Sequence, residues 1–280
     1  MIKKSLIYHN LVFPEDSQSE IANELKNELV DLINVKAAPS YALLLYLFSR
    51  EDLNVDFYRE IIKFLVKYFI RRNITDFPNT RNLDQIFMDL IEEIESAGGV
   101  PTVDLIIKYL SDSDRMSGVD TFIERLSSDI YELNVDATRF ILSKIEESKS
   151  TREIYLDFWA RDKSNKLIWT IEHIFPEGKN IPAPWVEMIA GGDKEIAEQI
   201  QEDYVHKLGN LTLTGFNQKL SNFDFERKRD RKNQEGNYIG YKNGLFLNED
   251  LKDKNNWTKE DIIKRTKKIV DLAVEIFKVE

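Results

Sequence analysis

The stretch WTIEHIFPEG, Trp169–Gly178, decides how this chain is read, together with HKLGNLTLTGFNQKLSN, His206–Asn222. The chain has only three histidines, and two of them stand in these blocks. NKLIWTIEHIFP, residues 165–176, is rich in β-branched and aromatic residues and too short for a good helix, which predicts a strand that Pro176 ends. NLTLT, residues 210–214, alternates as a second short strand. Between them lie a polar, proline-bearing loop, PEGKNIPAPW, and an expected helix, KEIAEQIQEDYVHKL. After them GFNQKLSNFDFERKRDRK turns into a further helix. The order is strand, strand, helix, with Glu172 and His173 on the first strand, Asn210 at the mouth of the second and Asn217 entering the helix.

These residue types suit one kind of chemistry. Mg²⁺ prefers oxygen ligands, keeps several waters and is usually held by one or two protein groups. The Glu172 carboxylate and the Asn217 side-chain oxygen would suffice. A neutral imidazole such as His173, with an ordinary pKa of about 6.5, suits proton abstraction from water. Neighbouring side chains of a strand point to opposite faces. Glu172 and His173 therefore share one site only if the strand twists or ends there.

Upstream the periodicity changes to that of helices. SQSEIANELKNELVDLINV, VDFYREIIKFLVKYFIRRN and NLDQIFMDLIEEIESAGG carry apolar residues at helical spacing, the last stopping at Gly98-Gly99. PSYALLLYLFSR is apolar nearly all round and is expected at the centre of a bundle. TVDLIIKYLSD, VDTFIERLSSDIYEL and DATRFILSKIEESKS continue the series, and WTKEDIIKRTKKIVDLAVEIFK closes the chain as an amphipathic helix capped by Thr258 and Asp261. The expected fold is mainly α (α+β), with a helical domain over residues 1–160 and the strand–strand–helix domain over 161–280.

Composition narrows the classes. At 280 residues, 42% hydrophobic and 31% charged, the chain is that of a globular protein. No apolar run approaches the ~18 residues of a membrane span, and the N-terminus lacks a secretory pattern. The absence of cysteine rules out disulfides and thiolate metal sites and fits a cytoplasmic protein. A net charge of −10 argues against a uniformly basic surface. One stretch departs from it: Lys219–Lys232 holds six basic residues against three acidic ones, about +3. It includes Lys219, Arg227, Lys228 and Arg229, suited to positioning a nucleic-acid backbone, although such runs are usually solvated helix faces. No phosphate loop of the G-x-x-x-x-G-K type occurs.

The blocks IEHIFP, HKLGNLTLTGFNQKLSN, FDFERK and WTKEDIIKRTKKI resemble the HNH (His-Me finger) nucleases, specifically the C-terminal region of GmrSD-type, modification-dependent restriction enzymes. The helical half, notably KFLVKYFIRRNITDFPNTRNLDQIFMDLI, is similar to that family's lead-in, so the resemblance covers most of the chain. It implies a ββα-metal nuclease domain with extra helices, cutting foreign or modified DNA with Mg²⁺ or Mn²⁺. It makes Glu172 and Asn217 the metal ligands, His173 the general base and Asn210 the brace of its loop. Lys228 would face phosphate, and His206 either packs against the loop or contacts DNA. The insertion between His173 and Asn210 is longer than in compact HNH domains. The complete enzymes also carry a ParB-like nucleotide-hydrolysing domain with a DGQQR-type motif, absent from this sequence. That half is expected as a partner subunit or a further part of a longer polypeptide.

Other readings stand beside this one. The chain could be a non-catalytic scaffold that grips DNA and docks the nucleotide-hydrolysing partner, or an RNA-cutting toxin. A lone His after Glu on a strand is, without context, more often a structural hydrogen-bonder. Arg71, Arg72 and Arg81 could hold phosphate or form an ion-paired junction.

Overall fold

The computed structural model describes residues 2–17, 19–151, 156–216 and 222–279. Asn217 and Lys219 lie outside the described residues. The chain divides into two units, Met1–Phe122 with Phe277–Glu280, and Ile123–Ile276. Among the described residues no helix is long and apolar enough to cross a membrane.

The first unit is helical, as its periodicity predicts. It comprises α1 (Ile2–Val12), α2 (Glu20–Glu24), α3 (Lys26–Asn34), α4 (Tyr41–Phe48), α5 (Val55–Thr75), α6 (Thr80–Ser96) and α7 (Val103–Leu110); α8 (Val119–Leu126) carries the boundary. Asn54 starts α5 by accepting a hydrogen bond from the Phe57 amide at 2.9 Å, which satisfies a donor the first turn leaves unpaired. Leu43, Leu44 and Leu47 of α4 are fully buried, so the apolar segment does lie in a core. Phe69 of α5 stacks on Phe87 of α6 with ring centres 5.9 Å apart. Burying such a side chain contributes about 1.5–3 kcal/mol relative to leaving it exposed. Arg71 is buried, donates to the Ser117 carbonyl and lies over the Phe122 ring. Arg72 pairs with Asp76 and the Pro78 carbonyl. Arg71 and Arg72 thus form a structural junction.

The second unit starts earlier than the sequence suggests, at residue 123 rather than 161. The reason is packing by α9 (Ile130–Leu133) and α10 (Val135–Lys149). Glu146 of α10 accepts from the amides of Phe246 and Leu247 at 2.8 and 2.9 Å, and Arg139 donates to the Phe158 carbonyl. These bonds need partners far downstream, which periodicity does not reveal.

Strand β1 spans Thr170–His173, shorter than the twelve-residue run that predicts it. Asp162 takes up the front of that run by accepting from the Ser164 and Lys166 amides, which folds residues 161–167 into a turn. Strand β2 (Leu211–Thr214) pairs antiparallel with β1, with Thr170 opposite Thr214, Glu172 opposite Thr212 and His173 opposite Leu211. The loop between them holds two helices. One, α11 (Ala183–Ala190), arises in the PAPW segment read as loop, because a proline in the first turn costs no helical hydrogen bond. The other, α12 (Lys194–Tyr204), is capped by Asp193. Helix α13 (Phe225–Asp230) is capped by Asp224, and α14 (Lys259–Ile276) carries the expected reciprocal Thr258–Asp261 box.

The turn Leu208–Asn210, between α12 and β2, sits directly on α14. A side chain at Gly209 would lie 2.0 Å from the Ile262 carbonyl, so only glycine allows the approach. Arg265, fully buried, donates to the carbonyls of Gly209, Leu211 and Leu247 at 2.7 Å each. Burial holds its guanidinium down to about 10, and the carbonyl dipoles take the place of lost water. Gly209→Ala should therefore destabilise the protein by about 3 kcal/mol or more in urea unfolding. Gly118→Ala, with open space around the added carbon, should stay within about 1 kcal/mol of wild type.

Candidate active site

The alternation of β1 sends Glu172 and His173 to different surroundings. Glu172 is 4% exposed, and its Oε1 accepts from Lys228 Nζ of α13 at 2.6 Å. Lys228 Nζ also donates to the carbonyls of His173 and Ile174, at 2.8 and 3.2 Å. The ammonium thus closes the end of β1 from one side, where the strand stops. Burial pushes the Glu172 carboxyl up and the Lys228 amine down, and their contact opposes both shifts. Among the described residues no hydrogen bond reaches the second carboxylate oxygen of Glu172. The expectation that Lys228 faces phosphate does not match its place: it is 1% exposed, turned inward onto Glu172.

His173 has a different set of neighbours. Its Nε2 lies 3.3 Å from Nδ1 of His206, and its Nδ1 lies 3.6 Å from a carboxylate oxygen of Glu177. His206 Nε2 is in turn 3.5 Å from Oε1 of Glu132. Tyr131 lies flat on the His206 ring, 7° from parallel, and meets the His173 ring edge-on at 4.6 Å. Its amide donates to the His206 carbonyl. Burial first, then His206 and Lys228, pull the His173 pKa down to about 3, so the imidazole is neutral near pH 7.

Two tautomer arrangements fit these partners, because each outer nitrogen faces a carboxylate, which only accepts. In one, His173 Nε2 donates to His206 Nδ1, His206 Nε2–H faces Glu132, and His173 Nδ1 keeps its lone pair. In the other, His206 Nδ1 donates to His173 Nε2, and His173 Nδ1–H faces Glu177.

The hydrogen bonds of the Asn210 side chain go to neither imidazole. Asn210 is completely buried and every amide atom is used. Oδ1 accepts from the Phe175 amide and Trp257 Nε1, at 2.8 and 3.2 Å. Nδ2 donates to the carbonyls of Phe175 and Val205. Its own carbonyl accepts from Ile174, the residue after His173. Asn210 is a positioning residue that ties the end of β1 to the segment bearing His206. Of the remaining cationic candidates among the described residues, Arg227 is the open one, its side chain 71% exposed and paired loosely with Asp224. Arg229 is held by Asp230, the Lys254 carbonyl and Asn255.

Sequence reasoning missed Glu177, Glu132 and Tyr131. Glu177 was within reach, four residues after His173 in the same block. Glu132 and Tyr131 come from α9 and carried no signal of their own.

The family model for GmrSD restriction endonucleases, C-terminal domain, matches residues 116–272. The chain belongs to this family, a class of nucleases acting in restriction. The match starts close to the unit boundary at residue 123 and contains every residue of the His173 and Glu172 surroundings. No curated protein matches the chain.

The buried ion pair has a measurable cost if broken. Lys228→Met leaves the Glu172 charge without a partner and should cost about 3–5 kcal/mol in urea unfolding. Adding Glu172→Gln should recover at least about 1 kcal/mol of that loss, because the stranded charge is gone. Purely additive losses would mean that the two groups do not interact.

Proposed function

We propose that this chain is a metal-dependent DNA endonuclease of the HNH type, with His173 as the general base. The observation that carries the reading is a neutral imidazole where β1 ends, in a chain of the restriction endonuclease family, and the base role takes the arrangement that leaves its Nδ1 unprotonated. His173 Nδ1 would take a proton from the attacking water, and Glu177, 3.6 Å away, would stabilise the imidazolium that forms. In that arrangement His206 would accept from Nε2 and hold the ring in the reactive tautomer, and Tyr131 would keep the His206 plane fixed. Burial makes His173 a weak base at rest, so its proton uptake depends on the negative charge of a bound phosphodiester.

The implied divalent ion fits the donors in part. Among the described residues one carboxylate oxygen of Glu172 has no hydrogen bond, and Mg²⁺ commonly takes a single protein carboxylate plus water and substrate oxygens. Glu172 and Asn217 would hold it, and when bound it would offset the charge developing on the scissile phosphate and the leaving oxygen. Arg227 is the cation of α13 open to a DNA backbone. The substrate we infer is foreign or modified DNA, handled together with a ParB-like nucleotide-hydrolysing domain or subunit.

Supercoiled plasmid with Mg²⁺ or Mn²⁺ tests this reading. Wild type should yield nicked circles, and His173→Ala should slow nicking by about 10²-fold or more. Unchanged nicking by His173→Ala would remove His173 from the chemistry. Cleavage of RNA but not DNA by the same preparation would favour the toxin alternative.

A further inference from the structure

The surroundings of His173 contain more ligand chemistry than proton abstraction from water needs. His173, His206 and Glu177 can each present one ligand atom, and the three atoms lie within 4.8 Å of one another. The two imidazole nitrogens that face each other are 3.3 Å apart. That separation is long for a hydrogen bond between nitrogens. It equals the edge, about 3.3 Å, of a tetrahedron whose centre-to-corner distance is the ~2.0–2.1 Å of a zinc–imidazole bond.

We propose that His173, His206 and Glu177 form a binding site for a late first-row divalent metal ion, Zn²⁺ foremost, and that the bound ion withdraws His173 from proton transfer. Two imidazoles and one carboxylate are the donor set of open zinc sites, which keep a fourth position for water. The same set disfavours Mg²⁺, which takes oxygen. The site is therefore chemically distinct from Glu172, which lies across the strand with its carboxylate on Lys228.

The surrounding groups are arranged as a metal site requires. Glu132, 3.5 Å from His206 Nε2, sits where a carboxylate orients a metal-bound histidine and raises its basicity. Tyr131 stacks on the same ring and fixes its plane. The Glu177 side chain is 53% exposed, which leaves a path for the ion and for its water.

The consequence for the base follows from proton counting. A neutral imidazole carries one N–H. An ion on one ring nitrogen of His173 leaves that N–H on the other, so neither nitrogen keeps a lone pair. The nitrogen that would receive the water's proton is then already occupied. No charge is created and no co-reactant is required. The binding half of this inference stands alone, whereas the inhibitory half rests on the nuclease reading.

Two measurements separate them. Co²⁺ titrated into the metal-free protein should give visible d–d absorption saturating at one equivalent, displaced by Zn²⁺. The absorption should be lost in His206→Asn, and Glu177→Gln should bind at least about 10-fold more weakly. Glu177 is largely exposed, so that variant keeps the test valid if His206→Asn does not fold. An unchanged spectrum in Glu177→Gln, or no absorption with folded wild type, would overturn the site. In the plasmid assay with excess Mg²⁺, one equivalent of Zn²⁺ should stop nicking and a chelator should restore it. In Glu177→Gln, half-inhibition should need at least ~10-fold more Zn²⁺, measured against that variant's own zinc-free rate. Full nicking with Zn²⁺ bound would overturn the withdrawal of His173. A protein that takes up Co²⁺ as described but cuts nothing under any divalent ion would fail as a nuclease while keeping the site.

Discussion

The Asn210 side chain is the constraint on which the rest of the second unit depends. A primary amide in a dry interior must satisfy two donors and an acceptor oxygen or forfeit about 1–3 kcal/mol for each group left unpaired. Here all are met at once, by both polar groups of Phe175, the Val205 carbonyl and the Trp257 indole. Those partners belong to three different places in the sequence. Phe175 follows β1 by two residues, Val205 precedes His206, and Trp257 leads into α14. One side chain thereby sets the distance between the end of β1 and the His206 segment. The separation of the two imidazoles is a result of that spacing. Gly209 and Arg265 add the other support, since they seat the Asn210 turn on α14 with no room for a side chain between.

The second consequence concerns the two sides of β1. Adjacent residues of a strand diverge, and Glu172 and His173, where β1 ends, meet different partners. The carboxylate meets a buried ammonium, and the imidazole meets a second imidazole and the exposed carboxylate of Glu177, with Glu132 on the second ring. A buried ion pair is weak evidence for stability, because desolvation offsets much of its attraction. It is stronger evidence of placement: Lys228 also binds the carbonyls of His173 and Ile174, so it pins the strand end that carries the base. The lysine assigned to phosphate on resemblance thus acts on the backbone of the site instead.

Much of this was legible beforehand. Helical periodicity located the elements of the first unit, and the Thr258–Asp261 pair marked the start of α14, because both signals are local. The paired blocks located β1, β2 and the residues around them. Three things were not legible. The unit boundary depends on Glu146 reaching amides one hundred residues downstream. The inward turn of Lys228 depends on a 56-residue separation from Glu172. The contribution of Tyr131 and Glu132 depends on α9 docking beside His206. Each is a tertiary contact between segments whose own patterns are ordinary. The roles of Glu172, Asn217 and His173 in cleavage rest on the resemblance and the proposal built on it.

Three histidines in 280 residues make the central claim directly observable. Long-range ¹H–¹⁵N spectra of the imidazole rings, recorded on metal-free protein and assigned by substituting His9 and His206 in turn, report tautomer and charge for each ring. The folded-state pKa of His173, about 3, lies below its ordinary value of about 6.5. The account therefore predicts an uncharged His173 with its proton on Nε2 from pH 8 down to about pH 4. A His173 that titrates near 6.5, or that carries its proton on Nδ1 in the metal-free protein, would contradict it.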